Sequence, residues 1–388
     1  MAIWVNSNCS GCSACIQACP KNCINFEIDD KGFKYVSVNS SQCVNCGVCE
    51  NICPSLNPFQ EREIIKCHAV RNDNPQIVKQ SSSGGAFTAM AEFIILSGGV
   101  VCGAAFDENY RVKHVLIDQI DQLHELRGSK YVQSDTSMIF KQIRSVLESG
   151  RLLLFVGTSC QVAGLKRYLR KDYNSLYTVD VVCHGVVSPK VWSDYLHSLI
   201  GLNALDDISN ISFRDKKFGW KNFSLAIRFK NGSNVIRTVK EDSYLQCFVK
   251  NLTLRPSCFD CYAKSGKSDS DLSIADLWGI ANILPSLNDD KGVTSVLSYT
   301  EKGLELLKSL NNLEKYEVDK KLVILNNAAI MNSPIKPKEY ESFWREYSSK
   351  GVNVLYEYAA VLMKQDRISV RSSIKLYIRK IIKFLFRR

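Results

Sequence analysis

Cys9-Ser-Gly-Cys12-Ser-Ala-Cys15, then Cys19-Pro20, is followed 34 residues later by Cys43-Val-Asn-Cys46-Gly-Val-Cys49, then Cys53-Pro54. Each copy is C-x2-C-x2-C-x3-C-P. Eight of the sixteen cysteines of this 388-residue chain lie in these two runs.

That spacing is the spacing of two-cluster bacterial ferredoxins, in which three close thiolates wrap one 4Fe–4S cube and the fourth crosses to the other. One cluster is therefore expected on Cys9, Cys12, Cys15 and Cys53, and the other on Cys43, Cys46, Cys49 and Cys19. Structural zinc takes two separated C-x2-C pairs rather than a duplicated four-cysteine run ending in proline. A disulfide framework needs an oxidising compartment, and nothing in the sequence points to export. Ile24 to Ile28 and Phe33 to Val38 alternate apolar and polar residues around Asp29-Asp30-Lys31-Gly32, which reads as a hairpin between the two copies.

Length implies two or three domains, and 45% hydrophobic residues fill sizeable cores. Met1 to Val5 leads straight into the first motif without a charged and apolar leader, so no signal peptide is expected. No apolar run reaches bilayer length. A reducing cytoplasmic setting follows, with contact at the inner membrane surface through the C-terminal end as an addition. The net charge of +11 is uneven: nine Lys and Arg against Asp366 stand in residues 364–388, which leaves +3 for the rest. A near-neutral body excludes general nucleic-acid binding.

The fold class is α/β (α+β): a small ferredoxin-type domain followed by a mixed, largely parallel α/β domain. Lys66 to Arg71, Val100 to Phe106, Leu152 to Val156 and Thr178 to Val182 read as strands, and Ala86 to Leu96, Thr136 to Leu147 and Gln161 to Leu169 as helices. Ser188-Pro189 starts a further helix as N-cap and first helical residue. Such strand–loop–helix units build a parallel sheet. Ile211–Phe213, Ser224–Phe229 and Val235–Val239 form an antiparallel portion. Ser295 to Tyr299 is a strand and Gly303 to Leu310 a helix. The boundaries expected are 1–60, 64–150, 151–330 and 331–388, the last a basic tail. Ile374, Ile378, Ile381, Ile382 and Leu385 there mark one apolar helical face from Ser372 onward.

Four further cysteines lie on loops. Cys160 stands where a strand meets a helix, a place that stabilises a thiolate. Cys183 holds the matching position after the next strand, and loops at the carboxyl ends of parallel strands converge. Cys258 and Cys261 form a C-x2-C pair. Together the four suit a third 4Fe–4S cluster; two buried cysteines plus a structural, zinc-type pair is the other reading, and spacing leaves both open. Ser82-Ser83-Gly84-Gly85 ahead of a helix has the form of an anion cradle, although such a turn is commonly a cap and a bend. Arg127-Gly-Ser-Lys130 can serve as a phosphate clamp, although such charges more often mark a solvated loop. His184 is a proton donor or a structural hydrogen bonder.

Beyond the first domain the chain resembles the β-subunit family of coenzyme F(420) (deazaflavin) hydrogenases and dehydrogenases. The resemblance rests on Ser82-Ser-Gly-Gly85, Arg127-Gly-Ser-Lys-Tyr-Val-Gln-Ser134, Gly157-Thr-Ser-Cys-Gln161, Cys183-His-Gly185, Arg255-Pro-Ser-Cys-Phe-Asp-Cys261 and Ala275-Asp-Leu-Trp-Gly279. It implies FAD and at least one cluster in this part. It favours the third cluster on Cys160, Cys183, Cys258 and Cys261. It also places Ser82, Ser83, Gly84, Gly85, Ser129, Lys130 and Tyr131 near the flavin. Ser159 replaces a frequent proline, and Asp276-Leu-Trp-Gly279 is a reduced form of a usual aspartate-rich segment, which bears on the substrate pocket. The family also holds chlorophyll-type reductases and proteins that look like accessory enzymes of surface polysaccharide synthesis, and the fused ferredoxin and basic tail resemble the last.

The expected function is an iron–sulfur flavin-dependent oxidoreductase. Electrons pass between a ferredoxin-like redox partner, the clusters, FAD and a small organic substrate, in either direction. A non-catalytic electron-transfer adaptor of a larger complex is the alternative. No residue is singled out as catalytic. A basic face opposite an apolar one suits the tail to anionic lipid, or to a core or partner.

Overall fold

The computed structural model describes residues 7–364; the basic segment from Ser372 lies outside them. Within the described residues the ferredoxin part is a hairpin of β1 (Ile24–Ile28) and β2 (Lys34–Val38), flanked by the short helices Ala14–Ala18 and Val48–Asn51. Its hairpin tip carries Phe33, which is fully buried beside Trp344, far along the chain.

The strands of the main sheet are β3 (Lys66–Asn72), β4 (Val100–Phe106), β5 (Val112–Ile117), β6 (Leu153–Thr158) and β7 (Leu176–Val181). After a separate three-stranded sheet, β8 (Ile208–Asp215), β9 (Ser224–Phe229) and β10 (Asn234–Thr238), the main sheet resumes with β11 (Leu272–Asp276), β12 (Thr294–Ser298) and β13 (Leu313–Glu317). Its order is β13-β3-β12-β11-β7-β6-β4-β5. The neighbours β11, β7, β6 and β4 are mutually parallel, and the outer ladders are antiparallel. The sheet is thus mixed with a parallel centre, and five of its eight strands point one way.

The parallel strands are apolar along their length because helices cover both faces. Leu153, Leu154 and Phe155 of β6 are fully buried. On one face Ala86–Leu96 lays Ala89, Met90 and Ile94 on the sheet; on the other, Ile139–Glu148 and Ser159–Leu169 bring Phe140, Ile143 and Leu165. The three-stranded sheet packs with the helices Pro189–Ile200, Ser243–Val249 and Tyr340–Lys350 around Trp192, Tyr195, Phe213, Tyr244 and Phe343. Ser188 caps the first of these, accepting from the Lys190 and Val191 N–H groups, with Pro189 at the first position.

Three strands carry no clear signal in the sequence. β5 and β13 are short edge strands, and β11 reads Leu-Ser-Ile-Ala-Asp with a central place in the sheet. The helix Tyr340–Lys350 buries Tyr340, Phe343, Trp344 and Tyr347, so the start of segment 331–388 is part of the aromatic core.

Candidate functional site

Both cysteine runs wind by the same backbone device. The second residue after the first cysteine and the fourth after it are left-handed in each copy: Gly11 and Ser13 (φ 71° and 63°), Asn45 and Gly47 (φ 53° and 71°). This turns the chain around a centre and aims amide protons inward. Gly11 N–H donates to Cys9 Sγ at 3.4 Å, and Asn45 N–H to Cys43 Sγ at 3.5 Å. Cys9, Cys12, Cys15 and Cys53 line one small void, and Cys19, Cys43, Cys46 and Cys49 line the other. The crossing of the fourth cysteine is therefore present in both directions. Cys23 joins the second ring, with its Sγ 3.5 Å from Cys19 Sγ; its position four residues after Cys19 was a signal the motif reading passed over.

Among the described residues no three His, Cys, Asp or Glu side chains converge on one metal-ion position. Thiols set around a void suit a cube that stands between them, whose sulfur ligands face each other across the cluster. Burial pushes the Cys12 thiol up to about 12, so ligation is what would hold such groups as thiolates.

The two rings differ in depth. Cys46 is exposed and Cys43 half-buried, whereas the first ring faces the main domain. Gly164 explains the contact: a Cβ there would stand 2.8 Å from Cys12 Cβ and 3.0 Å from its Sγ. The helix Ser159–Leu169 thus lies directly against a ligand of the first ring, one turn after Cys160. Tyr262 lines the same void, shares a 2.9 Å hydrogen bond with Ser10, and feels the charges of both Cys12 and Cys160.

Cys160, Cys183, Cys258 and Cys261 are near neighbours. Burial raises the Cys160 thiol well above its ordinary value, and Cys261, Cys183 and Cys258 add to this as neighbouring charges. Thr158 and Gln161 form a capping box that fixes the helix start, and Thr158 Oγ1 lies 3.2 Å from Cys160 Sγ. Cys258 lies within the turn Pro256–Asp260, and Cys261 caps its end. Lys264 donates to the Cys183 and Ala329 carbonyls, and its charge lowers the Cys183 thiol against the larger effect of burial. The four thiols can hold a metal cluster, with Lys264 supplying opposite charge.

A cavity of about 440 Å³ opens beside this group, at the carboxyl ends of β6, β7 and β11. Ser82, Ser83, Gly85, Ser129, Lys130 and Tyr131 line it, and Cys183 and His184 form part of its wall. Ser82 Oγ accepts from the Ser129 N–H at 2.7 Å, which clasps the two predicted loops together. Gly84 stands behind them: its Cβ would be 2.4 Å from Val70 O, and its N–H donates to Thr294 Oγ1. Its role is close packing of the cradle on β3 and β12 rather than lining. Lys130 Nζ donates to the carbonyls of Glu125 and Arg127, so it orders its own turn. His184 is held by Asn251 Oδ1 at 2.7 Å, and burial lowers its basicity.

Arg214, Phe223 and His114 line the cavity from outside the quoted motifs, and Trp278 lines it from within one. Arg214 on β8 is buried, pairs with Asp276 at 2.9 Å, lies 4.1 Å over the Phe223 ring, and has an Nε without a hydrogen-bond partner. Trp278 stacks on Trp220, whose Nε1–H donates to Asp276. His114 is buried between Ser134 and the Val156 carbonyl. An arginine on an alternating strand gives no sequence signal of a pocket. The cavity volume is in the range of small-molecule and cofactor sites. Its glycine-serine cradle at the N-terminal end of Ala86–Leu96, its aromatic walls and the unpartnered Arg214 Nε fit a phosphate-bearing aromatic cofactor.

Comparison with known proteins gives three matches in succession. Residues 8–57 match the 4Fe-4S dicluster domain. Residues 67–141 match coenzyme F(420) hydrogenase/dehydrogenase, beta subunit N-term, and residues 150–321 the corresponding C terminus. An F(420)H(2) dehydrogenase subunit of Methanosarcina mazei is 22% identical over 221 residues, covering 54% of this chain; the match spans 63% of that relative's length. An uncharacterized protein of Methanocaldococcus jannaschii is 23% identical over 329 residues, 76% of this chain and 84% of its own. Among solved structures, the F(420)-reducing NiFe hydrogenase complex of Methanosarcina barkeri contains a chain similar at a TM-score of 0.47 and 16% identity, over 77% of this chain and 92% of that one. The two family halves follow one another over more than half of the sequence. The chain belongs to the coenzyme F(420) hydrogenase/dehydrogenase β-subunit family and carries a 4Fe–4S dicluster domain ahead of it.

Proposed function

We propose that this chain is an iron–sulfur flavoprotein oxidoreductase that links a one-electron redox partner to a small organic substrate. One observation carries the reading: the outer ring, the inner ring, the four thiols around Cys160 and the cavity form one uninterrupted series. In this reading Cys160, Cys183, Cys258 and Cys261 hold a third 4Fe–4S cluster, and the cavity holds FAD. Bound there, a flavin supplies the exchange between single electrons and a two-electron hydride. Ser82, Ser83, Gly85 and Ser129 would hold its phosphates through hydroxyl and amide groups. Arg214 presents charge to the same space, and Tyr131, Phe223 and Trp278 exclude water. His184, oriented by Asn251, holds a ring beside Cys183 where a proton can be exchanged. A deazaflavin or another metabolite, including one of surface polysaccharide synthesis, is the substrate class in this reading.

Anaerobic purification followed by iron and flavin analysis tests it. About twelve irons and one FAD per chain are expected, three cubes of four. Eight irons and no flavin absorbance would overturn it.

The name of the Methanosarcina mazei relative, a dehydrogenase subunit, favours a second reading in which the chain is an electron-transfer component of a larger assembly. Turnover of a small-molecule acceptor by the isolated chain rejects that reading. No helix among the described residues is long and apolar enough to cross a membrane. Contact of the basic tail with anionic lipid is a further proposal, and liposome co-sedimentation lost on deleting residues 368–388 is its test.

A further inference from the structure

A groove of about 670 Å³ lies where the ferredoxin part meets the main domain, and it shares no lining residue with the cavity beside Cys183. Cys19 and Pro20 form part of its wall, and both also line the void of the outer ring. Lys141 and Arg144 come from the helix Ile139–Glu148, and Arg170 and Lys171 from the turn that ends Ser159–Leu169. Glu148 is the one acid in the lining. Lys21, exposed and beside Pro20, extends the same face to the outer ring.

These cations are not neutralised by carboxylates of the protein, although Lys171 lies 4.6 Å over the Tyr173 ring. Among the described residues none of the five forms an ion pair; the nearby Asp172 is taken by Lys166 at 3.0 Å. Arg144 lies 4.2 Å over the Tyr168 ring and donates to the Tyr168 carbonyl, which fixes it as a rigid post. Arg170 is held outward by a left-handed backbone (φ 60°) that closes the helix. The body of the protein is nearly neutral, so four cations against one acid at this groove is a local field, which steers an oppositely charged protein. The charges are spread over two elements rather than convergent on a point, which suits a protein face more than a small anion.

We propose that this groove docks an acidic electron-carrier protein, whose carboxylates meet Lys21, Lys141, Arg170 and Lys171 and whose redox centre comes to rest over Cys19 and Pro20. The proposal rests on the electron-transfer reading above and adds where the partner sits and what its surface carries. One electron moves from the reduced carrier to the outer cluster, or back, with no bond made or broken.

The test uses the full-length holoprotein, anaerobic stopped-flow, and two reductants: a reduced acidic dicluster ferredoxin and the methyl viologen radical, which needs no docking face. In the combined variant Lys141→Glu, Arg170→Glu, Lys171→Glu, the ferredoxin rate at low salt is expected to fall about tenfold or more, with a flatter dependence on ionic strength. The viologen rate and iron content are expected to stay at wild-type levels. The milder Lys→Gln and Arg→Gln set should fall in between, which separates charge from misfolding. An unchanged ferredoxin rate in an iron-replete variant overturns the docking face. Binding to anionic vesicles lost in the variant, with the ferredoxin rate intact, assigns the patch to lipid and likewise overturns it. A wild-type chain that viologen cannot reduce, or that holds no iron, sinks the electron-transfer reading itself.

Discussion

Arg255 offers the sharpest perturbation. It is fully buried, yet among the described residues no carboxylate forms an ion pair with it. Its Nε donates to the Cys9 carbonyl at 2.7 Å, Nη1 to Gln133 Oε1 at 3.0 Å and Nη2 to the Lys34 carbonyl at 2.8 Å. The guanidinium also lies 4.4 Å over the Tyr35 ring. It therefore fastens the ferredoxin part, at Cys9 and at β2, onto the turn that carries Cys258. Replacing it by methionine keeps the stem but strands two buried carbonyls and the Gln133 amide oxygen. Orphaning buried groups costs about 1–3 kcal/mol each, against apolar burial retained by the thioether, so a net loss of about 3 kcal/mol at this contact is expected. That corresponds to a roughly hundredfold rise in the population of undocked ferredoxin module. The change acts on docking rather than on global unfolding, because each part keeps a buried cluster of its own besides those the two parts share. Hydrogen exchange across residues 9–38 should quicken by about that factor, and limited proteolysis in segment 54–63 should follow, with exchange in β6 and β7 unchanged. Wild-type exchange across residues 9–38 in Arg255→Met would refute the argument that this side chain holds the two parts together.

Further outcomes follow from other contacts. Gly164→Val places a branched side chain where Cys12 leaves no room, at a cost of about 1–3 kcal/mol, so reduction of the deeper centres should slow while the outer cluster is reduced normally; equal rates by rapid-mixing spectroscopy would contradict it. Cys160→Ala should lower iron by about four atoms per chain and leave about eight, and iron retained at the wild-type level would remove Cys160 from the ligand set. His114 is buried, and desolvation lowers it from its ordinary 6.5 to about 4. Its contribution to stability is complete above pH 6.5 and is lost as pH falls toward 4, about 3 kcal/mol in all, so His114→Gln should flatten that part of the acid-unfolding profile relative to wild type. Parallel profiles for the two proteins would show that His114 does not carry it.

What the sequence makes legible follows locality. The cysteine runs state their own ligand rings because three of every four ligands lie within seven residues, and the crossing partner is marked by a following proline. The buried parallel strands announce themselves through continuous apolar runs. Cys160 and Cys183 are visible as thiols at equivalent strand ends, but their meeting with Cys258 and Cys261 depends on β11 entering the sheet beside β7, and β11 reads as an unremarkable Leu-Ser-Ile-Ala-Asp. Arg214 is illegible for the same reason. Its pocket exists only when the three-stranded sheet is laid against the ends of β6, β7 and β11, a tertiary event with no local pattern. Gly84 shows the reverse: a motif residue that serves the packing behind the cradle, while its neighbours face the cavity.

The placement of two matched rings at unequal depth bears on why both are kept. A single ring against Gly164 would sit too far inside the contact between the two parts to meet a partner, because Tyr262, Arg255 and the helix Ser159–Leu169 close around it. A single ring at the exposed Cys46 would meet the partner but stand apart from Cys160. Sequence duplication answers both demands, since crossing the fourth cysteine ties each ring to the other's chain segment. Cys19 belongs by sequence to the inner run and by position to the outer ring, and together with Pro20 it reaches both the basic groove and the outer void. In the proposed function a carrier docked over Cys19 would stand at one end of the electron path, and Cys183, in the wall of the cavity, at the other.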